Sequence, residues 1–541
     1  MASLHLAAGD QLTLWVQDRA TLTGLNPVGE LQKGLASLGF KCELRGLARL
    51  LPFEIVLAAE NEPPKSIRRE PLPSSADAFR IVCDGTSIRL RAQSQRGFAY
   101  AAWELMESFG WSWPTPQITR EPEASSWTFE EDRKVYQPAL ENRILFAEQV
   151  DLTPAMMLWF SRLRFNTLFP SNPSRFTEPE SQFPAQSLAM ASSLGFELIV
   201  GGDCWPWISA GMDVEEPSSW ESLSPNRIAE AVDTVHAYWQ EMDKPKPRFS
   251  VWPMGCSRDP VAAFVAAVLE KFPDLLLETA IQVPVAESKR DRVLFQIRDD
   301  TLSPQADEES IRNWMEYWLG ETNRKGIYLF SNPNDWDDRL GGAVAPLLWR
   351  RLHRRIAIAH QLGLEGAAIG LTRLDSFAFL ERAGFAYSVF ARAMWNGADW
   401  DPEAFVERAF HDQFEGAGAV VNALARDLER WVSEPGSDEE ALSNAQSFFF
   451  RFAHQVLPRE QERDRLDQRV SEIEESAPCE TCIEFSRSLA TLVSLFDLEE
   501  CGDPHEAKAI ARTIWKRNMM DSWPEWLQVS SPLADRLKTY L

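Results

Sequence analysis

The sequence predicts a (β/α)8 TIM barrel over residues 136–375, with a small α+β domain over 1–135 before it and an α-helical region over 376–541 after it. The middle of the chain carries the main observation. From about residue 138, short apolar runs alternate with helical patterns; the strand candidates are RILFA, FNTLFP, FELIVGG, FSVWPM, LLLETAI, VLFQIRD, GIYLFSN and GAAIGLT. Their number and order, over about 240 residues, match a closed parallel barrel. Before this region the strands are short and form a hairpin, and beyond about residue 376 the strand pattern gives way to helix.

In the first region QLTLWV and FEIVLA read as strands, and VGELQKGLASLG between them places Val28, Leu31, Leu35 and Leu38 on one helical face. AFRIVCDGTSIRLRAQ is a hairpin of two alternating strands around Asp84-Gly85, a favoured tight-turn pair. In the helix that follows, Phe98, Ala102, Leu105 and Phe109 share a face. Gly110 is placed for a left-handed C-cap, and Pro114 and Pro116 stop the helix from restarting. In the middle region PAMMLWFSRLR, PNRIAEAVDTVHAYWQEM, PVAAFVAAVLEKF, ESIRNWMEYWLGETN and APLLWRRLHRRIAIAHQLG separate most of the strands, whereas QVPVAESKRDR is too short for a normal helix. A doubly wound open sheet is the alternative, but no Gly-rich phosphate loop follows any strand. In the last region GAVVNALARDLERWVSE, DEEALSNAQSFFFRFAHQVL and REQERDRLDQRVSEIEES read as helices.

Composition narrows the function. A net charge of −25 argues against nucleic-acid and anionic membrane partners, which need a concentrated positive field. No apolar run approaches the ~20 residues of a membrane helix. The N-terminus MASLHLAAGDQLTLWVQD lacks the pattern of a signal peptide, so a cytoplasmic location is expected. Seven cysteines do not make a disulfide framework. Cys479, Cys482, Cys501 and His505 have zinc-like local spacing, but the intervening stretch reads as one helix that would hold the two halves roughly 25–30 Å apart; incidental thiols, and no metal or other cofactor, are expected. His5, His236, His353, His360, His411, His454 and His505 fall on helical patterns or outside the barrel, which disfavours a histidine metal centre or a Ser-His-Asp triad. The 21 tryptophans serve either as large core surfaces or as flat platforms for sugar rings.

Three stretches carry a resemblance. AFRIVCDGTSIRLRAQSQRGFAYAAWELMESFGWSWPTP resembles the end of the small domain that precedes the barrel in β-hexosaminidases and α-glucuronidases. PALENRILFAEQ, WFSRLRFNTLFP and SSLGFELIVGGDCWPW resemble the first three barrel strands of that superfamily. FAYSVFARAMWNGADWDPEAFVERAFHDQFEGAGAVVNALARDLERW resembles the helical region after the barrel in the DUF4838 family of glycoside-hydrolase-like proteins. The resemblance runs to about residue 432 and implies that Trp111 and Trp113 pack into the junction between small domain and barrel. Two positions depart from it. The Asp-Glu pair of hexosaminidases is absent as such, and a Gly-Gly-His after the third strand reads Gly201-Gly202-Asp203.

Barrel sites lie at the C-terminal ends of strands. The polar and aromatic residues assigned there are Asn142, Arg143 and Glu148 on the first strand, Asn166 on the second, and Asp203, Trp205 and Trp207 after the third. Trp252, Arg258 and Asp259 belong to the fourth, Glu278 to the fifth, Asp299 and Asp300 to the sixth, Asn332, Asn334, Asp335 and Trp336 to the seventh, and Arg373 and Asp375 to the eighth. Carboxyl pairs, amides and tryptophans are the groups of glycoside chemistry. Asp299 and Asp300 are the expected acids, with Glu148 and Glu278 in reserve. Arg143, Asp203, Trp205, Trp207, Trp252, Asn332, Asp335, Trp336 and Arg373 are the expected substrate contacts. Adjacent acids resemble the carboxylates of substrate-assisted hexosaminidases, which stand after the fourth strand rather than the sixth. A bland role competes at each position: Asp259 and Asp375 fit helix N-caps, and Arg143 or Glu148 fits half of a buried ion pair. The expectation is a glycoside hydrolase acting on an N-acetyl-hexosaminide or uronide. A carbohydrate-binding protein without turnover, and a structural protein whose tryptophans are core, are the alternatives.

Overall fold

The computed structural model describes residues 3–17, 27–59, 71–147, 152–169, 190–203, 229–230, 232–233, 248–252, 258–298, 307–322, 326–331, 349–371, 376–433, 460–476, 486, 490, 494, 497–498 and 501–519. In the small domain β1 (Ser3–Ala7) pairs with β7 (Ser126–Glu130). A six-stranded sheet runs in the order β3-β2-β4-β6-β5-β8, from β2 (Gln11–Val16), β3 (Lys41–Gly46), β4 (Glu54–Ala58), β5 (Phe79–Cys83), β6 (Ser87–Ala92) and β8 (Asp132–Tyr136). Helices α1 (Pro27–Ser37) and α2 (Gln95–Ser108) pack on it and on each other. The hairpin turns at Gly85, φ +79°, where the Asp84 carboxylate accepts the backbone N–H groups of Thr86 and Ser87. Ser94 caps the start of α2, and the chain leaves its end through Gly110 at φ +101°, where a Cβ would stand 2.9 Å from Pro122.

Eight parallel strands then close a barrel, as the alternation predicts. They are β9 (Asn142–Ala147), β10 (Thr167–Phe169), β11 (Glu197–Asp203), β12 (Arg248–Trp252), β13 (Leu277–Ala280), β14 (Val293–Arg298), β15 (Ile327–Ser331) and β16 (Gly366–Leu371). The seam pairs Gly366 with Asn142 and Leu371 with Ala147. Helices α3 (Pro154–Arg162), α4 (Arg258–Lys271), α5 (Glu308–Thr322) and α6 (Trp349–Gln361) lie between strands, and the short fifth crossing holds only a 3-10 turn at Glu287–Arg292. Most of PNRIAEAVDTVHAYWQEM and all of DEEALSNAQSFFFRFAHQVL lie outside the described residues. The C-terminal region is helical: α7 (Ser376–Asn396), α8 (Glu403–Phe414), α9 (Gly418–Ser433), α10 (Glu460–Ser476) and α11 (Pro504–Met519). No helix among the described residues is long and apolar enough to cross a membrane. No metal-holding cluster occurs among them either; Cys479 and Cys482 lie outside them.

The small domain is keyed into the barrel's N-terminal end by buried charge. Asp77, just before β5, accepts Arg96 Nε of α2 at 2.5 Å, Asn166 Nδ2 at 3.0 Å, and the guanidinium of Arg143 on β9. Burial alone would raise the Asp77 pKa, but the Arg143 and Arg96 guanidiniums override it and hold the carboxyl below its ordinary range. Arg143 is fully buried, with its remaining N–H groups on the carbonyls of Arg164, Leu140 and Glu141 and its plane over Trp395. A second cluster joins Glu104 and Glu107 of α2 to Arg164, in the turn after α3, and to Arg392 of α7. Trp111 and Trp113 are buried at this junction; Trp159 Nε1 donates to the Trp113 carbonyl at 2.7 Å, and Arg162 lies over the Trp113 ring.

Candidate functional site

Register places the interior side chains in levels. Ile144, Ile199, Glu278 and Tyr328, from alternate strands, share one level. Phe169, Ser250, Gln296 and Ala368 come next toward the C-terminal mouth, then Phe146, Gly201 and Ala280, and finally Trp252 and Arg298 at the strand ends. Gly201 and Ala280 are too small to fill their level. The Trp252 indole fills it, reaching down so that Nε1 donates to Glu278 Oε2 at 2.8 Å. Phe146, Phe169 and Trp252 pack with ring centroids 5.1–5.2 Å apart, forming an aromatic floor beneath the mouth. The Arg298 guanidinium lies 5.8 Å from the Trp252 ring centre.

Beneath that floor a polar chain crosses four strands. Ser250 Oγ and Trp252 Nε1 meet Glu278 Oε2, Tyr328 OH donates to Glu278 Oε1 at 2.8 Å, and Gln296 Nε2 donates to the Tyr328 oxygen at 2.9 Å. Gln296 Oε1 is buried with no hydrogen-bond partner among the described residues. Burial pushes the Glu278 carboxyl up to about 7, against the pull of its three donors and of the Arg248 charge. The stability consequence has a definite sign. Unfolded, this carboxyl titrates near 4.5; folded, it holds its proton to about 7, so stability is full below ~pH 4 and falls as pH rises to about 7, by up to about 3 kcal/mol. Glu278→Gln removes that slope. Urea melts at pH 5 and pH 8 are expected to show the variant gaining on the wild type at pH 8; an unchanged difference between the two pH values would contradict the buried, proton-retaining carboxyl.

The structure corrects several sequence expectations. Arg143 is not a substrate contact: it stands second on β9, at the opposite end from the mouth, and its side chain points outward to Asp77. Asn142 begins that strand, and Asn166 precedes β10 and hydrogen-bonds within the same junction. Glu278 lies in the middle of the barrel beneath Trp252 and is fully buried. Trp252 does stand at the mouth. Asp203 ends β11, while Glu148, Trp205, Trp207, Asp299, Asp300, Asn332, Asn334, Asp335, Trp336, Arg373 and Asp375 lie outside the described residues. Ser250, Gln296, Arg298 and Tyr328 escaped the sequence reading. The available signal was a single polar group inside an otherwise apolar strand, as in FSVW, VLFQI and IYLF.

No family model and no curated protein sequence matches the chain. Solved structures do. A family GH115 4-O-methyl-α-glucuronidase with specificity for decorated arabinogalactans superposes over 99% of this chain and 80% of its own, with TM-score 0.62 and 10% identity. The fold is shared with glycoside hydrolases. The chitobiase of Flavobacterium johnsoniae, a GH20 protein, matches over 95% of this chain and 94% of its own at TM-score 0.51 and 10% identity. A GH89 protein of Clostridium perfringens, solved with GlcNAc-α-1,4-galactose, matches over 82% and 61% at TM-score 0.50 and 10% identity. The glycoside-hydrolase-like barrel thus comes with the preceding domain and most of the helical region, not as an isolated likeness of barrels.

Proposed function

We propose that the protein is a glycosidase that takes an N-acetyl-hexosaminide or a uronide at the C-terminal mouth of its barrel. The observation that carries this reading is the top of β14. Arg298 is the last residue of that strand, it faces inward over Trp252, and Asp299 and Asp300 follow it directly in sequence. Two acids therefore follow in sequence a strand end that flanks an aromatic floor, and a pair of carboxyl groups is what glycoside cleavage uses. One acid protonates the leaving oxygen, and the other stabilises or orients the group that attacks the anomeric carbon. The Arg298 cation suits a uronate carboxylate, in keeping with the glucuronidase among the similar structures.

A screen of aryl glycosides, with N-acetyl-hexosaminides and uronides included, tests the reading. Turnover is expected, and on the substrate found Asp299→Asn or Asp300→Asn is expected to lower kcat at least 100-fold with the fold intact, the range for a lost general acid or base. Full activity in both variants excludes the pair. Sugar binding without turnover by any glycoside would assign the chain to the non-catalytic carbohydrate-binding alternative.

A further inference from the structure

We propose that Glu278 is a positioning residue: it anchors the Trp252 indole at the barrel mouth, and its hydrogen-bond chain has two proton arrangements, so the floor on which a ligand rests responds to proton uptake below it. As a statement about ligands this rests on the proposed carbohydrate site; as a statement about the indole it stands alone.

The geometry gives both arrangements. With Glu278 ionised, the Ser250 hydroxyl, the Trp252 N–H and the Tyr328 hydroxyl all donate into the carboxylate, and Gln296 donates to the Tyr328 oxygen. Every carboxylate oxygen then has a donor, but Gln296 Oε1 has none among the described residues. With Glu278 protonated on Oε1, that proton goes to the Tyr328 oxygen. The Tyr328 hydroxyl turns to Gln296, whose amide, flipped end for end, accepts through the oxygen that was orphaned. The chain keeps four hydrogen bonds in both arrangements; the flip gives the Gln296 oxygen a donor and turns its N–H2 to the place the oxygen held. Tyr328 keeps its own proton in both, because burial and the adjacent Glu278 raise its pKa well above the ordinary value.

The charged and titratable groups around Glu278 are few. Arg248 of β12 lies at a level below and favours the ionised form, Tyr328 of β15 faces it across the level, and Arg298 of β14 lies above on the far side of Trp252. Ile144, Phe146, Phe169, Ile199, Gly201 and Ala368 of β9, β10, β11 and β16 do not titrate, whereas Glu197, which starts β11, and Glu365, just before β16, carry charges that act on Arg248. Among the described residues of this wall, Glu278 is a carboxyl whose burial pushes it up to about 7. The indole N–H feels its change of charge directly: a bond to a carboxylate is shorter and roughly twice as strong as one to a neutral carboxyl.

The test reads the indole itself and needs no sugar. In protein labelled at the tryptophan side-chain nitrogen, the Trp252 Nε1–H resonance is the one lost in Trp252→Phe. Between pH 5 and pH 9 it is expected to move downfield with a midpoint near 7 in the wild type, and to stay flat in Glu278→Gln. A flat wild-type signal, or a midpoint that survives Glu278→Gln, overturns the proposal. Tyr328→Phe provides the second arm should Glu278→Gln not fold. It removes one donor to the carboxylate, so the midpoint is expected to rise, and an unmoved midpoint also overturns the proposal. If the screen yields a substrate, KM is expected to follow the same midpoint in the wild type and not in Glu278→Gln, with kcat changed less. A KM independent of pH alongside a titrating indole would refute the ligand half alone, and a failed screen would leave the indole result standing.

Discussion

Asp77→Ala is expected to lower the unfolding free energy by about 3–5 kcal/mol, the cost of removing one partner from a buried ion pair. The reason lies in what is left behind. Asp77 and Arg143 are both fully buried, and Arg143 sits in the first barrel strand, where it cannot swing into water without dragging the start of β9 with it. Without Asp77 its charge is answered by the carbonyls of Arg164, Leu140 and Glu141 and by the faces of Trp395 and Tyr100, with no carboxylate among the described residues hydrogen-bonded to it. Arg96 and Asn166 lose the same acceptor. The effect is also tied to pH. Because the folded Asp77 carboxyl titrates below its ordinary range, its contribution is present above ~pH 4 and is lost as pH falls through the folded value. Denaturant melts at pH 7 and at pH 3 check both parts: the penalty of Asp77→Ala should be large at pH 7 and smaller at pH 3. A penalty under 1 kcal/mol at pH 7 would show that the junction relaxes around the unpaired arginine.

Gly201→Ala is expected to destabilise the barrel by about 4 kcal/mol, summing a strained backbone of about 1–3 kcal/mol and overpacking of about 1–3 kcal/mol. Gly201 has φ +111°, and a Cβ there would meet the Ser250 carbonyl oxygen at 2.3 Å. That contact is with backbone, so it cannot be relieved by turning a side chain. Gly201 also faces inward at the level the Trp252 indole occupies. The variant is thus expected to loosen the β11–β12 pairing and displace the indole together. Thermal melts and the Trp252 indole resonance check the two parts; a variant with wild-type stability would mean that β11 takes an ordinary extended conformation at this position.

The barrel was legible in the sequence because its strands are apolar on both faces, giving the runs RILFA, FELIV and GAAIGL between helical patterns. The interior was not. A two-sided apolar strand does not reveal which alternate residues face in, and that parity depends on register with neighbours far along the chain. Arg143 was misplaced for another reason: it opens the run RILFA, and chain direction alone sets it at the N-terminal end of the strand, away from the mouth. Glu278 stood out as a carboxyl in LLLETAI, yet its chemistry depends on Tyr328, fifty residues further on, and on an indole two positions past Ser250. Gly110 and Asp84-Gly85 were readable because their backbone requirements are local.

The junction clusters divide their charges unevenly along the chain. The acids, Asp77, Glu104 and Glu107, belong to the small domain, whereas Arg143, Arg164 and Arg392 belong to the barrel and the helix that follows it. Synthesis proceeds from the N-terminus, and domains fold as units in that order. The acidic half of the lock therefore emerges from the ribosome before any of these three arginines. A nascent barrel meets its counter-ions already mounted on a sheet and two helices, and it need never hold Arg143 or Arg164 in an apolar wall uncompensated. Without the small domain Arg143 and Arg164 would stand in the barrel wall without these counter-ions.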